Sequence, residues 1–179
     1  VDDVSGPMWV GFGRSNRNSY RAADLISVDQ IKIHGNYDLA TIVNDIAVVR
    51  LVERPTRAQV VDLAEESAPR FTGAVAEIVG FGRGTNGPLL RGVTRVIGTQ
   101  ECREWYSIVT ANNICVRDNV GTAQSACSGD SGGPLYIRGT GEQAGIASFA
   151  EADCSIDAPQ GYTRVSSFRR WIRQATGGL

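Results

Sequence analysis

CSGDSGGPL, spanning Cys127 to Leu135, sets Ser131 among glycines on both sides. Glycines beside a hydroxyl leave room for a substrate carbonyl to approach the backbone N–H groups. Donors aimed at a developing oxyanion are usually the largest single catalytic contribution, one donor being worth ~3–4 kcal/mol of barrier. A serine nucleophile suits such a setting. A bare GxSxG would read equally well as a glycine turn with an incidental serine, but these nine residues form a longer and more specific pattern.

Cys127 is one of four cysteines, with Cys102, Cys115 and Cys154, all in the second half of the chain and none in a CxxC pair that would grip zinc or exchange disulfides. An even, dispersed set suggests two disulfides in one of three pairings. Pairing nearest neighbours would close loops of about 13 and 27 residues, each contributing ~3 kcal/mol or slightly more in the chain-entropy picture. Disulfides persist in oxidising compartments, which points to a secreted, extracellular protein.

Outward from this segment run short β patterns near residues 8–12, 25–34, 45–52, 74–81, 92–98, 133–138, 144–149 and 161–165, broken by glycine, asparagine and proline. Short strands at such spacing favour a sandwich or barrels. Two helical signals interrupt them, Glu101–Tyr106 and the C-terminal SSFRRWIRQAT. In the latter Val165, Phe168, Trp171 and Ile172 share one face, Ser166 or Ser167 is a natural N-cap, and Arg169, Arg170 and Arg173 form a solvated face. The polar stretch over 54–73 reads as a link between two halves.

Composition narrows the function. The 179 residues carry 18 basic and 19 acidic side chains, a formal net charge of −1, and no long run of like charge. Nothing supplies the positive field of a phosphate-backbone binder, so no nucleic acid is expected as partner. No apolar stretch reaches the roughly 18 residues of a membrane span, and the opening VDDVSGPMWVGFG does not read as a signal peptide. Lys32 is the sole lysine, a bias of composition rather than a binding device. Gly80, Gly82 and Gly84 resemble part of a dinucleotide fingerprint, but no helix pattern or suitably spaced acid follows, and a tight loop is the better reading.

Three further blocks join CSGDSGGPL: NDIAVVRL over 44–51, VGFG over 79–82, and SFAEADCSIDAPQGYTRVSSFRRWI over 148–172. Together they resemble the chymotrypsin family of serine proteases, and the likeness covers most of residues 9–175. The resemblance implies an all-β fold of two antiparallel Greek-key barrels with a C-terminal α-helix. Residues 1–70 would form a partial N-terminal barrel carrying the triad aspartate, and 71–179 a C-terminal barrel carrying the nucleophile. Carried over by position, Ser131 is the nucleophile and Asp45 the carboxylate that orients the base. The N–H groups of Gly129 and Ser131 form the oxyanion hole, and Ser148 hydrogen-bonds near Asp45. The family's disulfides correspond to Cys102–Cys115 and Cys127–Cys154. Its substrates are proteins or peptides, and protein inhibitors are possible partners.

The same resemblance sets Ser125 at the base of the primary specificity pocket, where trypsin-like members carry an aspartate. Ser148, Phe149, Ala150 and Gln160 line that pocket, and Ala150 and Gln160 stand where glycine is common. Small or medium uncharged substrate side chains are implied. Choosing Gln160 over Gly161 rests on a one-residue alignment step, and Glu151, Asp153 or Asp157 could reach the mouth. No cofactor is implied and no metal: the segment matching a calcium loop, RSNRNSYRAADL, offers Asp24 as its one carboxylate.

One departure stands out. A serine hydroxyl needs an adjacent base, in this family a histidine about 45 residues before the aspartate. The chain's one histidine, His34, lies about 11 residues before Asp45 and reads as structural. The chain therefore reads as starting just after the triad histidine, without its flanking disulfide and without the opening strands, which would leave sheet edges and apolar surface exposed. Asp130, which in the family pairs with a newly released N-terminal amine, would be unpaired or differently paired, giving a zymogen-like site; the Val1 amine is poorly placed to substitute. The chain alone is expected to be inactive and poorly behaved. The alternatives are a non-catalytic homologue acting as a binding or regulatory module, and a second chain that supplies the missing base by complementation.

Overall fold

In a computed structural model of the chain, which describes residues 6–83, 86–118, 121 and 124–178, alternate residues of successive strands turn inward to fill one closed barrel. Strand β4 (Val75–Gly80) buries Ala76 and Ile78, and β5 (Leu90–Ile97) buries Gly92, Thr94 and Val96, the period of two that a half-buried strand requires. With β6 (Asn113–Arg117), β7 (Pro134–Ile137), β8 (Gln143–Phe149) and β9 (Gln160–Arg164) they close in the order β4-β5-β6-β9-β8-β7, every pair antiparallel. Ile78, Val96, Ile114, Leu135, Ile137 and Tyr162 form its core.

A second, open sheet precedes it: β1 (Trp9–Gly11), β2 (Leu25–Ile33) and β3 (Ala47–Leu51), antiparallel in that order. None of its strand residues is fully buried, and Trp9, Leu25, Ile33 and Val49 are exposed. The two units meet at few places. The loop after β1 bonds to the β4–β5 hairpin, with Arg17 N–H donating to Gly87 O (2.7 Å) and Leu89 N–H to Ser15 O (2.7 Å). Ile46 packs with Val165, Phe168 and Ile172.

The structure revises several expectations. Strand β6 was not anticipated: four of the five residues of NICVR are buried, so it lacks the alternation that marks a strand. The first helix, α1, covers Thr99–Arg103, slightly earlier than expected. No serine caps the C-terminal helix. Val165–Phe168 is a 3-10 turn with Ser166 buried in it, and α2 (Arg169–Thr176) starts behind Phe168 without a side-chain cap. Its arginines are not simply solvated, since Arg169 pairs with Glu65 (2.8 Å) and Arg173 with Glu66, strapping the 54–73 link to the helix. The helix ends at Gly177, whose φ of 80° suits the left-handed turn of a C-terminal cap.

Asp24 closes the loop after β1. Its carboxylate accepts from Arg14 Nε (2.9 Å), Arg14 NH2 (3.1 Å) and the Arg21 backbone N–H (3.0 Å), with Arg57 at 3.4 Å. The Arg14 hydrogen bonds, then the Arg21 N–H, hold its pKa below the ordinary carboxyl value of 3.8. A carboxyl lowered on folding stabilises above its unfolded pKa, and that gain disappears as pH falls through the folded one. Asp24→Asn is therefore expected to lower the thermal midpoint at pH 7, with the gap to wild type narrowing as pH falls below the ordinary carboxyl value of 3.8; melts from pH 2 to 8 read it.

Candidate active site

The segment from Cys127 to Gly133 folds as it does because its glycines permit it. Gly129 (φ 95°) and Gly132 (φ 78°) are left-handed, and a Cβ on Gly133 would lie 2.7 Å from the carbonyl oxygen of Asp130. Gly133 N–H donates to Asp130 O and Asp130 N–H to Cys127 O, both at 2.9 Å, while Gly132 N–H donates to Ala147 O (2.9 Å) and Ala147 N–H to Gly133 O (2.8 Å), which joins the loop to β8. Ser131 is left exposed at the crest. The N–H groups of Gly129 and Ser131 have no acceptor among the described residues, so two backbone donors beside the hydroxyl are available to a ligand.

Asp130 turns inward beneath this loop. Its Oδ1 accepts from Gly82 N–H and its Oδ2 from Cys127 N–H, each at 2.9 Å. The carboxylate is thus differently paired rather than unpaired. The Val1 amine lies outside the described residues, as does Gly84 of the glycine triplet. Gly80 and Gly82 serve the carboxylate: a Cβ on them would sit 1.8 Å from Oδ1 and 2.3 Å from Oδ2.

Asp45 follows a tight turn in which Ile42 (φ 55°) and Asn44 (φ 56°) are both left-handed. Ser148 Oγ donates to Asp45 Oδ2 at 2.7 Å, and Thr163 Oγ1 to Asp45 O at 2.7 Å, so the aspartate of the open sheet is clamped onto β8 and β9 of the barrel. His34 faces elsewhere. Its ring packs edge-on against Phe168 (5.4 Å) and beside Trp171 (5.2 Å), and its Nδ1 accepts from Asn36 N–H (3.2 Å).

A cavity of about 310 Å³ adjoins Ser131 and is lined by Ser148, Phe149, Ala150, Gln160 and Tyr162. Ser125 is not on its wall. It lines a separate cavity of about 210 Å³ that also touches Asp130 and Tyr162. Between the two lies the Gln160 amide, which donates to Ser125 Oγ (2.8 Å) and accepts from Ala126 N–H (2.9 Å). Phe149 lies over Gly161, where a Cβ would meet its ring at 2.0 Å, and stacks edge-on with Tyr106. Burial first, then the Glu151 carboxylate, push the Tyr106 pKa up to about 12. Glu151 lines the cavity, whereas Asp153 and Asp157 do not. Both disulfides pair nearest neighbours, Cys102–Cys115 and Cys127–Cys154, and the second anchors the loop to the segment after β8.

Sequence reading missed Ile42, Thr163 and Tyr162. Ile42 enters the cavity wall through a left-handed turn that no local pattern announces. Tyr162 is 1% exposed with a hydroxyl that has no hydrogen-bond partner among the described residues, and its pKa is raised by burial and by Asp130.

Comparison with known proteins follows the same lines. The profile of the Trypsin family matches residues 3–172. A chymotrypsin of Phaedon cochleariae is 35% identical over 152 residues, covering 79% of this chain and 53% of its own length. The brachyurin of Leptuca pugilator is 35% identical over 184 residues, covering 98% of this chain and 80% of its own. The solved structure of HL collagenase superposes with a TM-score of 0.86 at 26% identity, covering 97% of this chain and 77% of that one. The chain thus spans between about half and four fifths of the length of these relatives.

The packing under Asp130 gives a direct test. Gly80→Ala is expected to destabilise the fold by about 1–3 kcal/mol in urea unfolding, because the added methyl meets a carboxylate held by two hydrogen bonds. Gly35→Ala, where a Cβ would touch nothing, should stay within about 0.5 kcal/mol of wild type.

Proposed function

This chain belongs to the trypsin family, and from that premise we propose that it is the greater part of a secreted serine endopeptidase whose nucleophile is Ser131. The observation that carries this reading is the nucleophile loop: an exposed serine beside two N–H groups that have no acceptor among the described residues, braced by a carboxylate each of whose oxygens accepts a backbone N–H. In the proposed reaction Ser131 Oγ attacks the scissile carbonyl and its proton passes to a histidine. The tetrahedral oxyanion is held by the Gly129 and Ser131 N–H groups, the amine leaves with the histidine's proton, and water then hydrolyses the acyl-enzyme. Asp45, with Ser148 donating to its carboxylate, orients the histidine. The base in this proposal is supplied from outside these 179 residues, which alone would then not hydrolyse peptides; the engagement of His34 on Phe168 and Trp171 supports that reading.

Gln160 closes the inner end of the substrate cavity. Its amide is fixed by Ser125 and Ala126, which screens the Ser125 hydroxyl from an incoming side chain and leaves an amide rather than a charge at the inner end, with the Glu151 carboxylate elsewhere on the wall. Protein or peptide substrates with a small or medium uncharged residue before the scissile bond fit it, and protein inhibitors that present such a residue would bind the same way.

A fluorophosphonate probe tests the assignment. Full-length protein with a histidine-bearing upstream segment should label rapidly at Ser131, with labelling lost in Ser131→Ala. Rapid labelling of the isolated 179 residues would disprove the absent base. No labelling of the activated full-length protein would favour a binding module instead. In that full-length protein Gln160→Gly should open the pocket toward Ser125 and raise kcat/KM for Leu or Phe substrates relative to Ala by about tenfold or more.

A further inference from the structure

Arg164, the last residue of β9, is a buried cation without a counter-ion among the described residues. It is 7% exposed. Its guanidinium donates to Ala111 O (3.3 Å), Arg70 O (3.5 Å) and Asn113 O (2.8 Å), all backbone carbonyls, and no carboxylate pairs with it among the described residues. Guanidinium carries five N–H donors, so these three bonds leave two unused. A buried charge with neither an opposite charge nor a full set of hydrogen bonds is costly, and such groups are ordinarily paired.

Its surroundings increase the imbalance. Arg70 projects from the 54–73 link beside it, with no side-chain partner among the described residues, and the burial of Arg164 together with the Arg70 charge lowers the Arg164 pKa to about 10. The two arginines line a cleft of about 220 Å³ with Asn112, Ser166 and Ser167, whose side chains make no hydrogen bonds among the described residues. Glu66 also borders the cleft, but its carboxylate is engaged by Arg173. What remains is two adjacent positive charges, an amide and two hydroxyls around an opening, with none of these residues on the wall of the cavity at Ser131.

We propose that this cleft is a binding site for a small tetrahedral oxyanion, sulfate or phosphate, held between Arg164 and Arg70. Guanidinium pairs with such oxygens through parallel N–H bonds, and the hydroxyls of Ser166 and Ser167 and the Asn112 amide supply neutral donors. An ion bound there joins the 54–73 link to the end of β9 and the start of the C-terminal helical segment, so it stabilises the fold without touching the substrate cavity.

Titrating the full-length protein with sodium sulfate against sodium chloride of equal ionic strength tests this by thermal unfolding, with inorganic phosphate titrated calorimetrically. The expected result is a saturable rise of about 3–6 °C once sulfate reaches tenfold its dissociation constant. Arg70→Gln, at an exposed position that leaves the core intact, should weaken phosphate binding at least tenfold, whereas Arg170→Gln on α2 should leave it unchanged. Sulfate also stabilises proteins generally by exclusion from their surface, but that effect is unsaturable and indifferent to Arg70. A linear rise shared by wild type and Arg70→Gln, or saturable binding that Arg70→Gln does not weaken, would overturn the proposal.

Discussion

The Asp130 carboxylate carries the site. One oxygen takes the N–H of Gly82 at the end of β4, the other the N–H of Cys127 at the start of the nucleophile loop, so one side chain fixes the distance between barrel wall and loop. Hydrogen bonds to an ionised acceptor are roughly twice as strong as neutral ones, and a half-buried carboxylate cannot release either donor without a large desolvation penalty. The constraint spreads into the sequence. Gly80 and Gly82 are needed because the carboxylate occupies the space of their side chains, and Gly133 because the Asp130 carbonyl does. With the loop braced from beneath and closed by the Gly133 N–H on the Asp130 carbonyl, Ser131 stays exposed and the N–H groups of Gly129 and Ser131 have no acceptor among the described residues.

The aspartate comes from the weaker unit. The open sheet buries none of its strand residues fully, so its alignment with the barrel rests on a few specific contacts rather than on a shared core. Two of those, Ser148 to the Asp45 carboxylate and Thr163 to its carbonyl, act on the aspartate itself, and Ile46 next to it inserts among Val165, Phe168 and Ile172. Placement of Asp45 is therefore decided in the barrel and the C-terminal helix more than in the sheet that carries it. Contacts of this kind report on the site when the sheet loosens, since local opening favours regions with few buried apolar contacts.

Legibility followed burial. Strands with one face in the core, such as β4 and β5, announce themselves by alternation, and the nucleophile loop by glycines that backbone geometry demands. Strand β6 did not, because burial on both faces removes the period. The serine cap failed for a tertiary reason: Ser166 is drawn into a 3-10 turn that seats Val165 and Phe168 against Ile46, and the packing of those side chains outweighs a capping bond of about 1 kcal/mol. Gln160 and Gly161 differ in consequence by a whole pocket. Alternation along a strand reverses with one residue of register, and only the pairing of Cys115 with Gly161 fixes which side chain reaches Ser125.

Strand β9 concentrates what the sequence hid most. All five of its residues are buried, yet it reads Gln-Gly-Tyr-Thr-Arg, with four polar side chains where a central strand would ordinarily be aliphatic. Replacing them with apolar residues of similar volume would remove several desolvation penalties, so each polar group needs a local justification. Gln160 closes the substrate cavity through Ser125 and Ala126. Thr163 holds the Asp45 carbonyl. Arg164 bonds three carbonyls and faces a cleft shared with Arg70. Tyr162 stands between the two cavities beside Asp130, its hydroxyl without a partner among the described residues. A buried hydroxyl without a partner forfeits about 1–3 kcal/mol relative to a satisfied one. A phenylalanine would avoid that cost, so the Tyr162 hydroxyl is the polar group of β9 that the hydrogen bonds among the described residues do not account for.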